Sequence, residues 1–239
     1  MKDPYILEDG TLKNLLGITS YQELKKAEVD IAYLKLMNIG DVINENISTM
    51  ETFKNIHKHI FEDIFEWAGE FRTVPLYKEE VVIPGISLNY TEPKDIDKLL
   101  SKQFAEFDKI NWKELKIEDV PSILTKNLSK IWRVHPFRDG NTRTTLAFAY
   151  LTCLQHGINM DFGKILNQLN RIIDPKTNRI IQYNVRDKFV LASLDERDYP
   201  EPEHLENVFK QAIVKEKNIK LEADIDKCVD KEKEEFERD

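Results

Sequence analysis

His135-Pro-Phe-Arg-Asp-Gly-Asn-Thr-Arg-Thr144 runs directly into Thr145-Leu-Ala-Phe-Ala-Tyr-Leu-Thr-Cys-Leu154, and this junction decides the fold. The second half is apolar on all sides, the pattern of a buried helix. The first half supplies the start of that helix, where unpaired backbone N–H groups and the helix dipole favour negative charge. A proton acceptor, a carboxylate, a glycine turn and an arginine stand together just before it. This combination points to base-assisted chemistry on a phosphate-bearing ligand.

Outward from the junction, the pattern is mainly helical. Ser20 to Glu23 reads as a capping box opening a helix whose apolar face is Ala27, Val29, Ile31, Leu34 and Leu36. Phe53, Ile56, Ile60, Phe61, Ile64, Phe65 and Trp67 recur at helical spacing up to Gly69. Further helices are predicted over 93–110, 121–134, 141–156, 162–172, 178–194 and 202–217. Thr73 to Tyr90 departs from this pattern. It alternates, is rich in β-branched residues and carries Pro84-Gly85, so a small β-hairpin is predicted there. Its open edge could take an extended peptide by strand addition. Beyond Lys215 the chain is dense in charge, with a sparse apolar series at Ile219, Leu221, Ile225 and Val229. With no internal repeat, the chain divides into a catalytic unit over 1–200 and a C-terminal helix and charged tail over 201–239.

Composition narrows the function. The chain has 239 residues, 41% of them hydrophobic and 33% charged, which is ordinary for a globular protein. A net charge of −8 argues against nucleic acid as a partner, because phosphate backbones demand basic patches. No apolar stretch is long enough for a membrane span and no signal peptide is recognisable. Cys153 and Cys228 lie far apart, Cys153 within the apolar run, so a disulfide framework is not expected. A soluble protein that starts in the cytoplasm is the expectation, with later export left open.

His135-Pro-Phe-x-Asp-Gly-Asn-x-Arg143 resembles the signature of Fic (Fido) proteins, whose typical members transfer AMP from ATP to protein hydroxyls. Asp3-Pro-Tyr and Leu12 to Ile18 look like the family's N-terminal segment, and Ile56 to Arg72 resembles its helix leading into a hairpin flap. The resemblance implies a mainly α fold, a helical bundle with a small flap near 73–90. It implies that His135 is the general base, and that Asp139 holds Mg²⁺ against the nucleotide phosphates. Gly140, Asn141 and Thr142 would cradle phosphate oxygens, and Arg143 would bind the departing pyrophosphate. The partners implied are ATP, a target protein presenting a Ser, Thr or Tyr hydroxyl to the flap, and an antitoxin-like regulator.

Two departures bear on this. Thr142 stands where many members have Gly, which removes the freedom to adopt positive φ in the turn. Leu146 stands where many have a second arginine; Arg72 and Arg186 are the two basic residues weighed as its substitutes. An inhibitory Ser/Thr-x-x-x-Glu-Gly/Asn segment is absent, since Thr19 to Glu23 is followed by Leu24 and reads better as a cap. Two other readings stay open: a Doc-like protein phosphotransferase, and a catalytically weak nucleotide-binding module.

Outside the motif, His57 and His59 point to different helix faces and make no metal pair. Trp67, Trp112 and Trp132 are expected in the core. His156 is placed at a helix C-terminus and His204 near a helix start, neither with a catalytic case.

Overall fold

The structure, a computed structural model, describes residues 3–42, 47–78, 80, 82–83, 88–177 and 179–214. Its elements are α1 Tyr21–Met37, α2 Ile39–Val42, α3 Met50–Phe61, α4 Ile96–Asp108, α5 Val120–Val134, α6 Asn141–Gln155, α7 Phe162–Leu166, β1 Ile172–Ile173, β2 Ile180–Gln182, α8 Val185–Ala192 and α9 Glu203–Ala212. The mainly α architecture is the one expected from the sequence.

α6 is the central helix. Leu146, Ala147, Phe148, Ala149, Leu151 and Cys153 are all buried along it, so neighbours must cover it on every side. α3 and α5 pack against it, and α4, α8 and α9 pack against α5. An aromatic cluster joins these layers: Phe53 of α3 lies 5.6 Å from Phe148 of α6 and 5.5 Å from Phe104 of α4. Buried aromatics supply large apolar area with defined edge-to-face geometry, which holds the helices in one arrangement. The Cys153 thiol is free and pushed up to about 12 by burial. Trp132 and Trp112 are buried as expected, whereas Trp67 is half-buried.

The core continues past residue 200. α9 buries Leu205, Val208, Phe209 and Ala212, and Val214 N–H bonds Asn159 O at 2.9 Å, tying its end to the α6–α7 connection. The charged segment with Ile219, Leu221, Ile225 and Val229 lies outside the described residues, as does Cys228.

Two local expectations are corrected. α1 buries Leu24, Glu28, Ala32 and Leu36, a strict i, i+4 stripe, while Val29 and Leu34 are exposed. The stripe turns because this face meets α3 and the start of α6. The helices predicted over 162–172 and 178–194 are interrupted: α7 ends at Leu166, a small antiparallel pair pairs Ile172 with Gln182, and α8 begins only at Val185. Asp174-Pro175 makes the turn, with Asp174 Oδ1 accepting from Lys176 N–H at 2.8 Å and Oδ2 from the Thr177 hydroxyl at 2.7 Å. Proline has no N–H to continue a helix, and Asn184 with Asp187 forms a capping box that starts the next one. The segment 73–90 stands apart from the helices as expected; among its described residues no strand is assigned, and its Pro84-Gly85 turn lies outside them.

Candidate active site

The junction quoted at the outset is the connection between two buried helices. α5 ends with His135 in the left-handed region (φ 52°, ψ 57°), and α6 begins after Gly140 at φ 80°. Gly140 has no alternative. A Cβ there would lie 2.3 Å from Phe61 Cε2 and 2.5 Å from Cζ, in a backbone conformation that side chains disfavour.

The loop is clamped from all sides. The Asn141 carboxamide accepts from Phe137 N–H at 2.9 Å and donates to Phe137 O at 2.8 Å. The Asp139 carbonyl accepts from His57 Nε2–H at 3.1 Å, while His57 Nδ1 accepts from Gly69 N–H at 2.8 Å. These two partners fix His57 as one neutral tautomer; burial, the main cause, brings its pKa down to about 3. His57 also stacks on Phe137 at 3.8 Å. The sequence reading of His57 as structural therefore holds, with a specific job: it holds the loop from beneath. His59 is separate, bonding Lys35 O at 3.3 Å.

Arg72 is the second clamp. Its guanidinium is buried and donates to the carbonyls of His135 and Val74, each at 2.8 Å, and of Thr91. Its own N–H bonds Pro136 O at 2.8 Å. Burial brings its pKa down to about 10. Neither a surface arginine nor a phosphate ligand, Arg72 pins both ends of the 73–91 excursion to the motif.

His135 is almost fully buried between Tyr90, at 4.1 Å, and the edge of Trp132, at 5.0 Å. Its Nδ1 has no partner among the described residues, and its Nε2 lies 3.5 Å from Lys78 Nζ. Burial first, then the charges of Lys78, Arg186 and Arg72, hold its pKa well below the ordinary imidazole value. The ring is neutral at physiological pH.

Asp139 faces the same cavity, which is about 610 Å³ and is lined by His135, Asp139, Gly140, Asn141, Thr142, Arg143 and Arg186 among others. One carboxylate oxygen accepts from Gly140 N–H at 2.7 Å; the other has no hydrogen bond among the described residues. Burial pushes this carboxyl up, but Lys78, Arg143 and Lys25 and the Gly140 N–H outweigh it. The pKa lies well below the usual carboxylate range. The backbone N–H groups of Asn141, Thr142 and Arg143 likewise find no acceptor among the described residues, as a helix start requires of an anion site.

Thr142 does not strain the turn. It lies in the first turn of α6 and is not among the positive-φ residues. Its hydroxyl accepts from Trp132 Nε1–H at 3.0 Å, which satisfies a buried indole. Leu146 is packed in the core. Arg143 lies over the Phe61 ring at 4.6 Å and 4.0 Å from Asp139, and pairs with Glu28 of α1. Arg186 reaches the cavity from α8, paired in two bonds of 2.7 and 2.8 Å with the buried carboxylate of Glu80.

Sequence reasoning missed Glu28, Glu80 and Lys78. The signal for Glu28 was present: an acid within the stripe Leu24, Ala32, Leu36 demands a buried partner. Glu80 and Lys78 sit in an irregular segment and carry no such signal. Glu23 has no site role, since Ser20 Oγ accepts its N–H at 3.4 Å as the cap expected. His156 lies flat on Trp112 at 5.0 Å, and His204 bonds Glu201 on the surface.

Comparison with known proteins agrees with this geometry: residues 47–153, which include α3, α5, the motif and most of α6, match the Fic/DOC family. Over these residues the chain is similar to Fic/DOC domains. It is 27% identical over 167 residues to protein adenylyltransferase VbhT of Bartonella schoenbuchensis, covering 70% of this chain and 34% of VbhT. It is 30% identical over 116 residues to y4lH of Sinorhizobium fredii, covering 47% of this chain and 56% of y4lH. The chain thus spans about a third to a half of these curated relatives. The N-terminal Fic domain of a VirB-translocated Bep effector from Bartonella quintana, solved with bound ADP, superposes with a TM-score of 0.68 at 20% identity, covering 91% of this chain and 97% of that one. At that identity the likeness establishes the fold. No helix of the described residues is long and apolar enough to cross a membrane.

Proposed function

We propose that this chain transfers AMP from ATP to a hydroxyl side chain of a target protein, releasing pyrophosphate. One observation carries the reading: a neutral, buried histidine stands beside the unpaired N–H groups of the α6 start, in one cavity with Asp139 and Arg143. His135 Nε2 takes the proton of the target hydroxyl as its oxygen attacks the α-phosphorus. The bond to the bridging oxygen then breaks and pyrophosphate leaves. The N–H groups of α6 and Arg143 bind the phosphate oxygens.

Asp139 suits a hard cation: it is ionised, with one oxygen uncommitted and turned to the cavity, so it would hold Mg²⁺ together with phosphate oxygens. Bound there, the ion would neutralise charge on the departing oxygens. Lys78 and Tyr90, from the 73–91 excursion, lie beside the base, and the excursion would align the target segment. A donor of this kind places the reaction in an ATP-containing compartment, the cytoplasm of the producing cell or of a recipient. An antitoxin-like regulator belongs to this reading as a further partner; within the chain, Glu28 already engages Arg143.

ATP labelled at the α- or the γ-phosphate, incubated with Mg²⁺ and a lysate, tests the reading. We expect α-label on protein. Label from the γ position alone would replace it with phosphoryl transfer, and no label in either case would leave a binding module.

A further inference from the structure

Lys78 stands where the site is otherwise complete. Its ammonium lies 3.5 Å from His135 Nε2, the nitrogen that faces the cavity. It lines both the 610 Å³ cavity and a neighbouring one of about 370 Å³; the two meet along Lys25, Lys78, Asp139 and Arg186. Every other cation there has a carboxylate within ion-pair distance: Arg143 and Lys25 share Glu28, Arg186 has Glu80 and Arg138 has Asp3. Among the described residues Lys78 has none. Asp139 and Glu80 act on this half-buried ammonium only from beyond ion-pair distance, so an incoming phosphate would be its first direct anionic partner.

Described residues on either side of Lys78 are anchored. Arg72 holds Val74 and Thr91, and Glu80 is held by Arg186 and by the Tyr90 hydroxyl at 2.7 Å. Between these anchors a four-carbon stem is free to rotate, which an arginine fork would do less readily. While the ammonium donates to Nε2, that lone pair cannot accept a proton from a hydroxyl. The contact seen here is therefore a resting arrangement that the reaction must break.

We propose that Lys78 is a phosphate ligand of the nucleotide, and that its ammonium leaves His135 Nε2 for the phosphate oxygens when the nucleotide binds. The base is then uncovered only in the nucleotide-loaded protein. This rests on the nucleotide reading above and adds to it a residue and an order of events.

The test is calorimetric titration of the full chain with a non-hydrolysable ATP analogue and Mg²⁺, for wild type, Lys78→Met and Lys78→Arg. It is paired with ¹⁵N NMR of the His135 imidazole, and with thermal unfolding to verify each fold. We expect Lys78→Met to lose roughly tenfold in affinity, the worth of one charge-assisted bond. Lys78→Arg should recover most of it. The wild-type Nε2 resonance should shift on adding the analogue toward the position that Lys78→Met shows without it. Unchanged affinity in Lys78→Met, or a wild-type Nε2 resonance that ignores a bound analogue, overturns the proposal while leaving the nucleotide reading intact. A wild type that binds no analogue overturns both.

Discussion

The connection 135–140 and the excursion 73–91 face one cavity but are held by opposite means. In the connection, most backbone groups have a fixed partner: His135 N–H with Trp132 O, Phe137 with the Asn141 carboxamide, Asp139 O with His57 and Gly140 N–H with Asp139 itself. Phe137 is buried beneath it. In the excursion, the described backbone makes one internal bond, Ile83 N–H to Glu80 O at 3.3 Å, and long side chains anchor the rest. The difference teaches where precision is spent. Groups that position the reacting atoms sit on overdetermined backbone. Lys78 and Glu80 reach the cavity from a segment whose described residues are anchored mainly by side chains.

The largest effect should come from the rigid side. His135→Ala should lower label transfer by about 10²–10⁴-fold, the usual contribution of a general base, while leaving nucleotide affinity within a few-fold. Transfer equal to wild type in a folded protein removes His135 from the mechanism.

Gly140→Ala asks how rigid the connection is. The added methyl meets Phe61 at 2.3 Å in a left-handed backbone. We expect about 3 kcal/mol of lost stability in urea unfolding. Tyr77→Ala in the excursion, at an 86% exposed residue, should cost less than about 0.5 kcal/mol. Similar costs at the two positions would erase the contrast.

Acid should strike the rigid side as well. The folded-state pKa of His57 is depressed to about 3, so between there and about 6.5 the unfolded chain binds a proton that the folded chain refuses. Stability is full above about 6.5 and falls as pH drops through that window. At pH 5 the loss from His57 alone is about 2 kcal/mol, and His135, depressed for the same reason, adds to it. His57→Asn should be weaker than wild type at pH 7 yet lose less between pH 7 and pH 5. Parallel losses in the two proteins would refute this assignment.

A small global effect with a larger local one belongs to the ion pair that anchors the excursion. Glu80→Gln removes the charge that Arg186 holds but keeps a hydrogen-bonding amide. Unfolding free energy should change by only about 1 kcal/mol, while proteolytic cleavage within 73–91 should accelerate several-fold. Cleavage no faster than wild type would mean that the ion pair does not anchor the segment.

Local pattern was enough for much of this. The all-round apolarity of 145–154 placed α6 at the centre, Gly140 marked the turn, and Ser20 marked the start of α1. These are readable because helical periodicity and capping act over three or four residues. His135 and Asp139 were candidates for the same reason, being neighbours along the chain. What tertiary structure decided is the set of partners. Glu28 meets Arg143 across 115 residues, and Arg186 meets Glu80 across 106. Arg72 is a buried clamp, not a surface charge, only because three carbonyls converge on it. Ionic and hydrogen-bond partners depend on where helices cross, and no periodicity along the chain encodes that. Lys78 is the extreme case. In sequence it is one lysine far from the motif, and only the tertiary fold brings its charge to the nitrogen of His135.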